Sequence, residues 1–518
     1  MAPAWLDPRP PAPSTHPAAR GRASGRRLVF FDNGKLSPPY QHWLPIEAPL
    51  VASMRTLGDV ERDGCDLLFE SPARRAQRVA AWKQGGIDGI VFALCDAGVT
   101  QPTLALAAAA EQAGIPTAVL VLRSVLDLAS ACAAFLVPGM PLVELTAGRL
   151  DDLDSLGSAA ETAAVQVVRA LCHQPTAPPQ LGLSRPPKPE PFDDFDEYAR
   201  RRHLTDGLPV RLPTPERVQA LLAATSGADE VLHPSLSPSG AALTLHGAAI
   251  CAAMAGCEPG QFRFVLAALR AMAQPGYQLP LASITTHPGA NLLLFSGPAA
   301  RQAGIASGRG CLGPGYPANA AIGRAVGLAL QNVGRAIPGL SALSTQGSPA
   351  QWACCFSDRC DTDLPPLNVV LGHGNQTVAW VQKAGAPHNV IDHLSSTPES
   401  LLRTIASVAA TAGGNNAFLP SDLLVILNPE HARICTRAGW NRAAIQQYLW
   451  EQARNPRENL QGRGVKGEWP EHWKDWPLLP VAPSPDRIWI VVAGENGPQS
   501  QVAIPWGYAQ AQWTLVEH

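Results

Sequence analysis

Between Leu28 and about Cys172, short apolar runs alternate with stretches of helical periodicity. No other feature of the chain restricts its fold as much, because strand–helix–strand repeats of this length satisfy their backbone as a parallel sheet covered by helices. Strands are predicted at Leu28–Phe31, Cys65–Phe69, Ile87–Leu94, Thr117–Leu122 and Leu142–Leu145, with helices at Ala73–Gln84, Leu104–Ala113 and Ser124–Phe135. In the joint Glu111-Gln-Ala-Gly-Ile-Pro-Thr117, Gly114 ends a helix just before a buried strand, which fits the same pattern. The expected fold class is α/β, with a flavodoxin-like or Rossmann-like parallel layer over residues 28–173.

Residues 1–27 are rich in Pro, Ala and Arg and read as a disordered tail, with no apolar run of signal-peptide length. Residues 174–192 are too rich in proline for regular structure and read as an interdomain linker. The remainder, 193–518, is a larger mixed α/β domain, open to division into two subdomains. Thr214-Pro215-Glu216 caps and opens one of its helices. Further helices are predicted at Ala241–Ala255, Gln261–Ala273, Ala318–Asn332, Pro398–Ala412, Pro429–Ala438 and Arg442–Arg454. Strands are predicted at Leu281–Thr285, Leu292–Phe295, Val378–Val381, Leu423–Leu427, Ile488–Val492 and Gln501–Ile504.

Charge and cysteine usage narrow the partners. The formal net charge of the 518 residues is −2 and no basic cluster follows the first thirty, which argues against nucleic acid and for a small-molecule substrate. Glu111, Pro116, Pro138 and Pro141 interrupt the two longest apolar stretches, so no membrane span is expected. The eleven cysteines have neither disulfide-scaffold nor zinc-ribbon spacing. A cytoplasmic, reduced setting without a protein-bound metal follows. Cys354, Cys355 and Cys360 with Asp358 and Asp361 imitate a metal cluster, but adjacent cysteines are awkward for joint tetrahedral coordination.

Ligands of an open parallel sheet collect beyond the carboxyl ends of its strands. Two such loops carry polar groups. Asp32-Asn33-Gly34-Lys35 follows the first strand, and Cys95-Asp96-Ala97-Gly98-Val99-Thr100 follows the most hydrophobic one. Asp32, Asn33, Lys35 and Thr100 are candidate substrate-binding residues and Asp96 a candidate catalytic one; the alternative for the first loop is a simple Asx turn.

These loops carry a resemblance. With the GIPT joint at 114–117, the chain resembles the bacterial UGSC-motif (seleno)protein family and, more distantly, the selenoprotein B subunits of glycine and proline reductases. The likeness extends through TDGLPV (205–210), TPERV (214–218), AMAGC (253–257), LGPGYPANAAIGRA (312–325), QNVG (331–334), PHNV (387–390), NPEHA (428–432) and VVAGENG (491–497). In that family the loop reads Asp, then Cys or selenocysteine, then Gly-Ser-Cys. Aligned on Asp96 and Gly98, the two redox positions here are Ala97 and Thr100. The resemblance therefore implies a relative without the paired sulfurs that attack and resolve.

The segment from Gly308 to Asn319 is a glycine-dense loop feeding a helix, so Gly313, Gly315, Asn319 and Arg324 are candidate anion-binding residues; the alternative is a tight loop packed on a sheet. His246, His287, His388 and His431 are acid–base candidates, of which His388 and His431 are preferred because each sits at a loop or helix start. Cys257 and Cys311 could instead supply a thiol, or serve as small buried hydrophobes.

Together these features predict a metabolic enzyme acting by acid–base chemistry on a small acidic or amide-bearing metabolite in an interdomain cleft. The alternatives are a catalytically degenerate binding or partner subunit and a thiol-dependent enzyme using Cys95 or Cys311. A homo-oligomer or a partner chain is compatible with each, and the motifs identify no cofactor.

Overall fold

The computed structural model describes all residues except 1–3, 22–23, 38–40, 68–69, 149–150, 176–182, 187–189, 226–229, 466–468 and 518. The N-terminal domain holds β1 (Arg26–Asp32), β2 (Gly58–Gly64), β3 (Gly89–Cys95), β4 (Thr117–Leu122) and β5 (Leu142–Leu145). They form an all-parallel sheet in the order β2-β1-β3-β4-β5. This is the flavodoxin-like strand order, which reverses between β1 and β3. Every residue of β3 and β4 is buried, as helices on both faces require.

One strand differs from expectation. The apolar run Cys65–Phe69 lies after β2, and the strand itself is the polar sequence GDVERDG, paired only along β1 at the edge of the sheet. An edge strand with partly exposed faces gains its place from ladder hydrogen bonds, so hydrophobicity does not mark it. Leu68 and Phe69 lie outside the described residues.

The second domain is one four-layer body. After a short ribbon of β6 (Val231–His233) and β7 (Leu243–Thr244) come β8 (Ala290–Ser296), β9 (Cys354–Ser357), β10 (Val378–Ala384), β11 (His388–Ile391) and β12 (Leu423–Leu427). Then follow β13 (Arg454–Pro456), β14 (Leu478–Pro480), β15 (Ile488–Val492), β16 (Gln499–Ala503) and β17 (Gln512–Leu515). Two sheets, β17-β10-β8-β9 and β11-β16-β12-β15, stack face to face, and β13 pairs with β14.

Strand periodicity separates the cores. Leu292, Leu294 and Trp380 meet Leu424, Ile426, Trp489 and Val491 between the sheets. Leu293, Phe295, Ala379 and Val381 face the helices Leu245–Ala255, Pro259–Met272 and Pro317–Asn332. Leu423, Val425, Ile488 and Ile490 face the helices Pro398–Ala409 and Arg442–Gln452. The two sheets thus share one core. The segment Leu281–Thr285, expected as a strand, is instead the end of a helical turn (Leu279–Ala282) followed by a loop.

The described part of the N-terminal segment is pinned to both domains instead of disordered. Trp5 packs edge-on against Phe192, Phe195 and Tyr198 of the second domain, and Arg9 donates to the Tyr198 hydroxyl. At its other end Arg20 pairs with Glu111 at 2.8 Å in the first domain, where Glu111 also accepts from the backbone amides of Ala18 and Thr117. Between these anchors Pro11 bridges to Arg185 of the linker, part of which lies outside the described residues. Composition alone predicts disorder; a buried carboxylate that needs donors supplies the order.

Removing that acceptor tests the arrangement. In Glu111→Ala, trypsin is expected to cut after Arg20 at least tenfold faster than in the wild type, read by mass spectrometry of the early fragments. Equal rates would contradict a pinned segment.

Candidate active site

The reversal of strand order between β1 and β3 opens a crevice at their carboxyl ends. β1 stops at Asp32, whose buried carboxylate accepts from the amides of Gly34 (2.8 Å) and Leu36 (3.0 Å) and from Ser37 Oγ (2.6 Å). The Asx turn therefore exists, and it shapes the rim. Gly34 is at φ +95°, a torsion that calls for glycine, and a Cβ there would sit tightly against the Asp66 Cα at 3.2 Å.

Asn33 is fully buried. Its Nδ2 donates to the Leu94 carbonyl (2.9 Å) and Thr103 Oγ1 (2.7 Å), and its Oδ1 accepts from the Leu94 amide (2.9 Å). Every strong hydrogen-bonding site of that amide except one lone pair is engaged, so Asn33 ties the two loops together and has no side-chain group for a substrate. Lys35 reaches across to Asp96 at 3.2 Å, joining the loop after β1 to the loop after β3. Thr100 is fully buried in the first turn of the helix Thr100–Gln112.

The crevice continues into a cleft between the domains with a volume of about 1170 Å³. Asp32, Lys35, Arg62, Asp63, Cys65 and Gly98 line the first-domain side. Opposite them stand Thr285, Thr286 and His287, backed by Phe418, Trp506 and Tyr508. The loop 96–100 thus borders the cleft through Gly98 and Val99.

His287 is the histidine that faces this space. Nδ1 is sealed from solvent without a partner among the described residues, which leaves Nε2 as the ring edge a ligand can reach. Burial, and then the positive Lys383, push its pKa down to about 4, so the ring is neutral at physiological pH. Hydrophobic periodicity gave no reason to prefer it. The signal available in sequence is its place in Thr285-Thr286-His287-Pro288-Gly289, a polar turn between two apolar segments.

The two preferred histidines lie elsewhere. His431 is buried in the first turn of the helix Pro429–Arg437, with Nδ1 at 2.7 Å from Ser500 Oγ and Nε2 at 3.1 Å from the Asp392 carbonyl. Both ring nitrogens are engaged, tying that helix to β16 and to the residue after β11. His388 is exposed at the start of β11 and does not line the cleft.

The glycine-dense loop is also separate. Asn319 closes its own loop by accepting from the Ala306 amide (2.9 Å) and donating to the carbonyls of Cys311 (3.0 Å) and Cys355 (2.9 Å). Arg324 clamps Asp206 with two contacts of 2.8 Å. Gly313 and Gly315 are exposed on the loop surface. Of the two readings, a tight loop packed against the end of the sheets accounts for these contacts; none of its candidate residues reaches the cleft.

Cys65, Cys95 and Cys311 are unsuited to nucleophilic work. Cys95 is completely buried, and burial raises its pKa above the ordinary thiol value, as it does for Cys311. Cys65 lines the cleft, yet burial pushes it up to about 12 and its Sγ lies 3.5 Å from Glu70 Oε1. No group of three or more metal-ligating side chains occurs among the described residues. Cys354 and Cys355 point into different cores, because they alternate along β9.

The electrostatics of His287 make a direct prediction. Its folded pKa lies below the unfolded value, so this group's contribution to stability falls as pH drops from about 6.5 to about 4. An NMR titration is expected to place the His287 midpoint near 4, shifted upward in Lys383→Met; a midpoint of 6 or above in the wild type would contradict the assignment. Comparison with protein-family models, curated proteins and solved structures finds no match, so the functional reading rests on the geometry of the cleft itself.

Proposed function

We propose that the protein is an enzyme of small-molecule metabolism that binds a small acidic or amide-bearing metabolite in the interdomain cleft and acts on it by acid–base chemistry. The observation that carries this reading is the position of a neutral histidine across the cleft from the carboxyl ends of β1 and β3, the place where open α/β sheets bind ligands.

The polar groups on the first-domain wall are largely neutralised by one another. Asp32 is held by three hydrogen-bond donors and by Arg62 at 3.6 Å, Asp63 accepts from Arg78 and Trp82, and Asp96 pairs with Lys35. Arg62 bridges Asp32 and Glu47 and remains half exposed at the rim. A ligand entering this space meets cationic edges, the hydroxyls of Thr285 and Thr286, and the aromatic residues Trp506 and Tyr508. That set suits a carboxylate or amide attached to a small apolar body.

Neutral His287 supplies the acid–base step. An imidazole unprotonated above pH 4 can accept a proton from a bound substrate through Nε2 without first losing one to solvent. The absence of sulfur at residues 97 and 100, with burial raising the pKa of the Cys65 and Cys95 thiols, favours this chemistry over thiolate attack.

A thermal-shift screen of small carboxylates, amides and amines tests both parts. A carboxylate or amide is expected to raise Tm, with the amines inert, and Lys35→Met should abolish the shift. His287→Gln should retain binding while turnover, followed by NMR of the bound class, falls on the order of 10² to 10⁴-fold. Binding without turnover in the wild type would instead identify a binding subunit, and a shift only with amines would overturn the ligand class.

A further inference from the structure

β10 presents alternate side chains to two cores, and Ala379 and Val381 enter the one beneath the helices. The next residue in that register is Lys383, opposite Asn291 on β8. A position whose neighbours are apolar thus carries an amine that is only 6% exposed. Among the described residues its Nζ has no hydrogen-bond or ion-pair partner, and burial alone lowers its pKa to about 8.

The charged and titratable groups around it offer no compensation. Asp206 lines the same cavity but is engaged by Arg324 through both oxygens, and His287 is neutral. A strand that had only to pack would carry a valine or leucine here, since burying an uncompensated amine costs stability. The amine lines a cavity of about 570 Å³, together with Ser283, Asn291, Gln331, Ser344, Gln351 and Trp352.

We propose that this cavity is a second ligand site, in which Lys383 captures a small carbonyl compound, an aldehyde or keto acid, as a protonated imine. The ammonium first gives up a proton, and the freed nitrogen lone pair then bonds to the carbonyl carbon. The carbonyl oxygen takes up two protons and leaves as water, so the net change is ammonium plus carbonyl to iminium plus water, without oxidant or reductant. The amides and hydroxyls of the lining provide hydrogen bonds for the carbonyl oxygen and the departing water. This site is separate from the cleft and its proposed chemistry, although both draw on the segment 283–291.

Reductive trapping tests it on the full chain. The protein is incubated at pH 7.5 with glyoxylate and cyanoborohydride, and the six lysines are scored by peptide mapping. Lys383 is expected to be labelled at least about tenfold faster than the exposed Lys83 and Lys474, because a far larger fraction of its amine is unprotonated. Lys383→Arg should lose that adduct while melting like the wild type. Should the variant fail to fold, the wild-type rate profile decides: a midpoint near pH 8 at Lys383, against above 10 at surface lysines, supports the site. Labelling of Lys383 no faster than the surface lysines, or following their pH profile, overturns it. Because trapping needs no turnover in the cleft, its failure leaves the acid–base reading untouched.

Discussion

The buried Asn33 amide is the interaction on which the cleft depends. Its three hydrogen bonds, each 2.7–2.9 Å, fasten the end of β1 to the end of β3 and to the following helix. Where strand order reverses, neighbouring connections diverge to opposite faces of the sheet, and nothing in the ladder holds their loops in register. A saturated side-chain amide does so, with Asp32 winding the loop tightly behind it. The ion pair between Lys35 and Asp96 then crosses the same gap on the cleft side. Geometry at the mouth of the site is therefore set largely by the buried contacts of Asn33 and Asp32, which are expensive to break because each lost partner leaves another group unsatisfied.

The domain opposite contributes through rigidity. In its inter-sheet core Trp380 lies 5.7 Å from Trp489, and Asp422 accepts from Trp489 Nε1 at 2.7 Å. Such edge-on packing around one satisfied carboxylate fixes the position of β8 and β10. Since the segment carrying His287 leads directly into β8, the imidazole inherits that fixed position. The electrostatic link between His287 and Lys383 follows from the same proximity: two basic groups close together in a poorly hydrated region cannot both hold a proton at little cost, and the histidine yields first.

Much of the architecture was legible in the sequence because buried strands and amphipathic helices leave periodic marks. Thr117–Leu122, Leu142–Leu145, Leu423–Leu427 and Ile488–Val492 lie where the apolar runs place them. The polar edge strand β2 left no such mark, and the apolar turn at Leu281 imitated a strand. The loops after β1 and β3 were recognisable as cleft-forming because a parallel sheet dictates where its ligands gather. Which histidine faces the cleft was only weakly marked: His431 opens a helix and His287 lies in a polar turn, and long-range packing puts one against Ser500 and the other at the cleft. The glycine-dense loop misled for a related reason. Its asparagine and arginine satisfy partners as distant as Cys355 and Asp206, which local spacing does not reveal.

The central claim is that the cleft between the domains is a small-molecule site. Native mass spectrometry of the protein purified from its own host tests it most directly, comparing the wild type with a cleft variant, Thr286→Trp, that fills the space beside His287. The account predicts a small acidic or amide-bearing metabolite released from the wild type and absent from the variant. A protein that carries no small molecule and travels with a second polypeptide, or a ligand retained equally in both proteins, would contradict it.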